Sequence, residues 1–211
     1  MKTLIAVPCL DQVPALFAQS LASLNRVDEC AVAFEIGSLI YTSRNNLAKK
    51  AIEYGADFIF WLDSDMVFNP DLLELLHKEM KEKNLDFLSG LYYRRVEPYT
   101  PVAFETLSME EDGCKWTEFK DTPTETFEVA GVGFGCVLMK TEMFVDIFVK
   151  FGAFFDPLKG VGEDLSFCLR ARECGYKLYC NPTIPLGHVG NNIITKNYYD
   201  SYKAVRARNN S

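Results

Sequence analysis

Apolar positions along the chain recur at two spacings, and the alternation between them sets out the architecture. Residues 3–8 form a short apolar run that reads as a buried strand, and residues 14–25 follow as a helix with Leu16, Phe17, Leu21 and Leu24 on one face. Residues 31–36 are again strand-like. Thr42 or Ser43 can cap a helix through residues 45–52, with Gly55 as its stop. The run Phe58-Ile59-Phe60-Trp61-Leu62 has no polar position at all, which suits a strand buried on both faces, as in a parallel sheet.

Asn69-Pro70 opens a further helix whose apolar face is Leu72, Leu73, Leu75, Leu76 and Met80, and residues 87–91 supply the next strand. A β-α-β-α-β-α-β order predicts an α/β fold with a mostly parallel central sheet and helices on both faces. Beyond Tyr92 the pattern loosens. Residues 102–104 and 116–119 read as short strands around the acidic turn Glu110-Glu111-Asp112-Gly113, a small β excursion. A last strand is expected over residues 132–139, a helix from Thr141, another from Glu163-Asp164 to just before Gly175, and a short fraying helix in 197–211. With 211 residues and no internal repeat, one domain is expected over 1–211.

Composition narrows the class. Twenty-two Lys and Arg against 29 Asp and Glu leave a formal charge of −7, the wrong sign for holding a polynucleotide by its phosphates, so no nucleic-acid partner is expected. No apolar run approaches the length of a transmembrane segment. The N-terminus lacks the apolar stretch and cleavage site of a secretory signal, which makes a cytoplasmic location the expectation. The seven cysteines are an odd number without a C-x-x-C pair, and they read as reduced, structural thiols, not a zinc site or a disulfide framework.

Candidate chemistry concentrates in three places. Asp63-Ser64-Asp65 stands where the most apolar strand runs out, the edge of an open sheet at which ligands bind. Two carboxylates at i and i+2 on a strand point the same way and can hold a divalent cation, which would neutralise a diphosphate leaving group. A helix-capping turn before Asn69-Pro70 is the plainer alternative. Gly160-Val161-Gly162-Glu163-Asp164 brings two acids to a helix N-terminus, where one can accept a proton from an attacking hydroxyl or where both simply favour the helix dipole. His188, between Gly187 and Gly190, is a candidate ligand for a manganese-like ion or a structural histidine. His77 reads as a surface residue of its helix.

Taken together, these segments resemble the GT-A glycosyltransferases, and most closely the broad family 2 type. The resemblance runs over nearly the whole chain: the first strand with Pro8, the helix opening Ser43-Arg44-Asn45-Asn46, Asp63-x-Asp65, Gly131-x-Gly133-x-Gly135, Gly162-Glu163-Asp164 and the late His188. It implies a Rossmann-like GT-A fold, with a nucleotide- and metal-binding part over about 1–95, an acceptor-binding and catalytic part over about 96–195, and a tail over 196–211. The implied activity moves a sugar from a nucleotide-diphosphate donor, UDP-sugar first among them, to a hydroxyl of a glycan or protein, with Mn²⁺ or Mg²⁺ and with inversion.

By that similarity Asp65 is a direct metal ligand and Asp63 assists through the ribose or the metal's water shell, with Ser64 between them. His188 completes the metal site. Pro8, Asp11 and Arg44 border the nucleotide, and Asp164 is the base, with Glu163 beside it. The acidic residue that many relatives carry after the second strand has only Glu35 as its counterpart, inside an apolar run. Tyr92-Tyr93-Arg94-Arg95 reads either as a segment that could reach a donor or acceptor phosphate or as a strand end with two solvated arginines, and Trp116 suits either a sugar ring or hairpin packing.

Three other classes compete. A sugar-phosphate nucleotidyltransferase would carry a glycine-rich basic loop after the first strand, where this chain has Cys9-Leu10-Asp11-Gln12-Val13-Pro14. A dinucleotide-dependent oxidoreductase would carry G-x-G-x-x-G into a helix, whereas the spaced glycines here lead into a strand. A catalytically silent nucleotide-sugar-binding or assembly module would keep the fold without turnover.

Overall fold

A computed structural model describes residues 1–27, 29–37, 39–119 and 121–209. Its centre is β3 (Phe58–Leu62), which pairs in parallel with β1 (Lys2–Cys9). Both strands send alternate side chains to opposite faces, as a pleat of period two requires. Leu4, Ala6, Ile59 and Trp61 enter one core, and Ile5, Val7, Phe60 and Leu62 the other. That two-sided burial is why the run at 58–62 carries no polar residue.

Helices cover both faces. α1 (Ala15–Ser23) lies on one face with α3 (Leu72–Lys83), and α2 (Ile40–Tyr54) lies on the other with α4 (Glu142–Phe151) and α5 (Glu163–Glu173). α2 begins before Thr42 and Ser43, which therefore lie inside it and do not cap it, whereas Gly55 ends it with a left-handed φ of 68°. Leu16 of α1 and Leu75 of α3 are exposed, whereas Ser20 of α1 is buried and accepts a hydrogen bond from the Phe68 amide at 3.3 Å.

Seven strands form the main sheet. In chain order the remaining ones are β2 (Glu29–Ile36), β5 (Phe87–Gly90), β8 (Phe127–Val129), β10 (Cys136–Lys140) and β11 (Leu178–Asn181); the spatial order is β2-β1-β3-β10-β5-β11-β8. Five strands run one way, but β10 enters antiparallel between β3 and β5, and β8 closes the edge antiparallel to β11. The sheet is thus mostly parallel, with β3 having only one parallel neighbour.

Two small sheets complete the structure. β6 (Ala103–Glu110) and β7 (Gly113–Glu118) make the expected hairpin, and β9 (Gly131–Val132) pairs with β6. The single strand expected over 132–139 is therefore two, broken at Gly133–Gly135 and belonging to different sheets. β4 (Met66–Phe68) pairs with β12 (Leu186–Val189), which pairs with β13 (Ile193–Ile194). The expected tail helix is α6 (Lys196–Asn209), whose Tyr199 stacks on Tyr93; residues 210 and 211 lie outside the described residues.

His77 is buried, not on the surface. Its Nε2 lies 3.1 Å from Thr3 Oγ1 and its ring meets Phe58 edge-on. All seven cysteines are free, and burial pushes the Cys136 and Cys168 thiols up to about 12, which keeps them protonated and unreactive. Among the described residues no helix is long and apolar enough to cross a membrane.

Candidate active site

The chain leaves β3 at Asp63, whose amide donates to the Gly135 carbonyl at 3.1 Å, and turns through Ser64 and Asp65 into β4. Because it turns there, Asp63 and Asp65 do not share one strand face but go to different partners. Asp63 Oδ1 accepts from Arg44 Nη2 at 2.8 Å. Asp65 Oδ2 faces Arg95 Nη1 at 2.8 Å and His188 Nε2 at 3.4 Å.

Strand register brings His188 to this point from the far end of the chain. β12 pairs antiparallel with β4 so that His188 stands opposite Met66, and the Val189 amide donates to the Asp65 carbonyl at 2.8 Å. The His188 ring is then fixed from behind. Its Nδ1 is 2.8 Å from the Tyr93 carbonyl, which can only accept, so Nδ1 is the donor there and Nε2 is turned toward Asp65.

On the opposite wall α5 begins at Glu163, and Glu163 Oε1 accepts from Arg44 Nε at 3.2 Å. Arg44 is only 2% exposed. Its guanidinium carbon lies 5.4 Å from the Phe134 ring centre and 5.6 Å from that of Trp61, so aromatic faces receive the part of the charge that the carboxylates do not. Burial alone would lower its pKa, but Asp63, Glu163 and Asp164 outweigh burial and hold it above the ordinary value.

Asp164 is pushed up to about 6, first by burial and then by Glu163. Its Oδ1 accepts the Leu165 amide at 2.7 Å. For Asp65 the balance is the reverse: burial raises its pKa, but the contacts with His188 and Arg95 prevail and keep it below the usual carboxylate value.

Arg44, Asp63, Ser64, Asp65, Glu163 and Asp164 line one opening of about 280 Å³ together with Pro8, while His188 and Arg95 reach Asp65 from outside that lining. Cys9, Leu10, Gly37 and Ile40 also line the opening, residues that no pattern of type or spacing marks out. Asp11 is exposed and stands outside this lining. Glu35 accepts from Asn46 Nδ2 at 2.8 Å and from Lys50, so it is tied to α2. Arg94 pairs with Glu118, and Trp116 packs edge-on against Phe104 on the hairpin.

Tyr92 ties the glycine-spaced segment to the site. Its hydroxyl oxygen accepts the Gly135 amide at 3.2 Å, and its ring meets His188 edge-on. A Cβ on Gly133 would sit 2.1 Å from that hydroxyl, and one on Gly135 2.7 Å from the ring. Close backbone approach to Tyr92 therefore accounts for two of the three glycines.

A divalent cation fits Asp65 and His188. Asp65 Oδ1 is buried without a hydrogen-bond partner, and the His188 ring nitrogen nearest to it is the one not committed to Tyr93. Among the described residues no three His, Cys, Asp or Glu side chains converge as a ligand set, and Asp63 is engaged by Arg44. Two protein ligands are enough for a hard cation that takes its remaining oxygens from phosphate and water.

A sheet with this strand order, carboxylates at the end of β3 and an acidic helix start across the opening defines the GT-A class of glycosyltransferase. The chain belongs to the glycosyl transferase family group 2, whose family model matches residues 58–203. Among solved structures, the protein A197 from STIV is similar with a TM-score of 0.65 and 19% identity, over 92% of this chain and 94% of that one. GalNAc-T7, solved with UDP, GalNAc and Mn²⁺, is similar with a TM-score of 0.62 and 13% identity, over 90% of this chain. This chain spans 44% of the length of GalNAc-T7. At these identities the likeness is one of fold. The search of curated proteins found no match.

Proposed function

We propose that this protein transfers a sugar from a nucleotide-diphosphate sugar, a UDP-sugar in the first instance, to a hydroxyl of a glycan or protein acceptor. The reading includes Mn²⁺ or Mg²⁺ and direct displacement with inversion. One observation carries it: the acids of the β3 end and those of the α5 start, a hundred residues apart in sequence, face the same opening of about 280 Å³.

Asp164 suits the role of base. A pKa of about 6 leaves it ionised at neutral pH and more basic than an ordinary carboxylate, and with Oδ1 occupied by the Leu165 amide, Oδ2 remains to take the proton. In the transfer the acceptor oxygen bonds to the anomeric carbon, the bond from that carbon to the diphosphate oxygen breaks, and the acceptor proton passes to Asp164. Glu163 has a supporting part, since its carboxylate is engaged by Arg44 and its charge helps raise the Asp164 pKa.

Asp65 and His188 would hold the cation, which when bound supplies positive charge to the departing diphosphate. Asp63, oriented by Arg44, is offered to the ribose or to cation-bound water. Pro8 borders the nucleotide, and Arg44, being buried, acts on it through Asp63.

Calorimetric titration with UDP, with and without Mn²⁺, tests the reading. Metal-dependent binding that is lost in a folded Asp65→Ala variant is expected, followed by transfer with one of a set of UDP-sugars. Binding that ignores both metal and substitution would overturn the metal role. An NMR assignment of product with the donor's anomeric configuration would overturn inversion.

A further inference from the structure

The segment after β5 grips both halves of the proposed cation site. Tyr93 supplies the carbonyl that fixes His188, and Arg95, two residues on, places Nη1 2.8 Å from Asp65 Oδ2. The Arg95 stem is laid against the β12–β13 hairpin: a Cβ built on Gly190 would lie 3.2 Å from Arg95 Cβ. The Arg95 side chain is half in water, at 51% exposed, whereas that of Asp65 is 22% exposed. Asp65 Oδ1 has no hydrogen-bond partner.

We propose that Arg95 is the resting counter-cation of Asp65 and becomes a diphosphate-contacting residue when nucleotide and cation arrive, so that the two ligands bind cooperatively. The inference rests on the metal-dependent reading above. A guanidinium 2.8 Å from the carboxylate oxygen repels a cation approaching the same group. A cation alone must therefore displace Arg95 into water, with nothing gained by the arginine. A half-exposed ion pair is weak enough for that displacement. When a diphosphate is present the planar fork of Arg95 acquires phosphate oxygens as acceptors, to which its geometry is matched. The cation then finds Asp65 released and the arginine engaged elsewhere. Each ligand thereby improves the site for the other, and the coupling is reciprocal.

The test is Mn²⁺ titration followed by electron paramagnetic resonance, for the wild type, Arg95→Gln and Arg95→Lys, each with and without UDP and each checked for fold by circular dichroism. Arg95→Gln is expected to bind Mn²⁺ alone about fivefold more tightly than the wild type, the size of a half-exposed ion pair. Its Mn²⁺ affinity should gain less from added UDP, and Arg95→Lys should keep the wild-type value for Mn²⁺ alone. Equal affinities for Mn²⁺ alone in the wild type and Arg95→Gln, with binding present, would overturn the role of Arg95 and leave the metal site standing. Absence of Mn²⁺ binding in every folded variant, with UDP and without, would remove the metal-dependent reading and this inference with it.

Discussion

Arg44 Nη2 lies 2.8 Å from Asp63 Oδ1, at the bottom of a cavity where the arginine itself is almost wholly buried. The same guanidinium reaches Glu163, so one side chain of α2 ties the end of β3 to the start of α5. Breaking a buried pair from one side strands the other charge.

Arg44→Met therefore leaves two carboxylates facing each other without a counter-charge. A loss of about 2–4 kcal/mol is expected, discounted for the partial exposure of Asp63, together with a fall in transfer activity. Urea unfolding with an unchanged m value measures the first. Arg44→Lys should recover only part, since an ammonium cannot donate in two fixed directions. A loss below about 0.5 kcal/mol for Arg44→Met would show that the tie does not hold the two elements.

Gly133 is a second structural pressure point. Gly133→Ala puts a methyl group where the Tyr92 hydroxyl is, at 2.1 Å, and both are buried. Overpacking of this kind costs about 1–3 kcal/mol. Adding Tyr92→Phe removes the hydroxyl and should return part of the lost melting temperature, although Val102 Cγ1 remains 2.8 Å away and the ring carbon Cζ 3.2 Å. Additive losses in the double variant would mean that contact with Val102, and not with the Tyr92 hydroxyl, sets the need for glycine.

The strand at 58–62 was legible because uninterrupted apolarity has one economical explanation, and the structure divides its side chains between two cores. Strand direction was not, since periodicity is blind to it, and β10 slips in antiparallel beside β3. β4 is three residues long, too short to show a period, yet its pairing with β12 is what sets His188 beside Asp65. The acids of the site stood out as residue types at an element's end. Arg44 was marked only by resemblance, as a residue bordering the nucleotide, because tertiary packing alone buries it between Asp63 and Glu163.

His77 shows the same limit on the opposite edge of the sheet. A polar residue on α3 reads as solvent-facing, but the ring is 7% exposed against Phe58 and Thr3. His77→Ala is expected to cost about 1–3 kcal/mol, which for a chain of this size lowers the melting temperature by several degrees. Transfer activity at a temperature where the variant is folded should stay at the wild-type level. A specific loss of activity would connect this edge to the site, contrary to its placement.

The raised pKa of Asp164 ties activity to stability with a definite sign. Its carboxyl titrates at 3.8 when freely solvated and at about 6 in the fold, so between those values the folded protein holds a proton that the unfolded chain has lost. Stability from this group is therefore greatest below pH 4, declines as the pH rises to about 6, and stays reduced above it. The penalty at neutral pH amounts to as much as roughly 3 kcal/mol. Asp164→Asn removes the charge, so it should melt higher than the wild type at pH 7.5 and match it near pH 4, while losing about 100-fold or more in turnover. Wild-type kcat/KM should in turn fall below pH 6 as Asp164, the proposed base, is protonated. A variant that loses turnover without gaining thermal stability at pH 7.5 would mean that Asp164 is comfortably solvated, and the acid limb of the rate profile would then belong to another group.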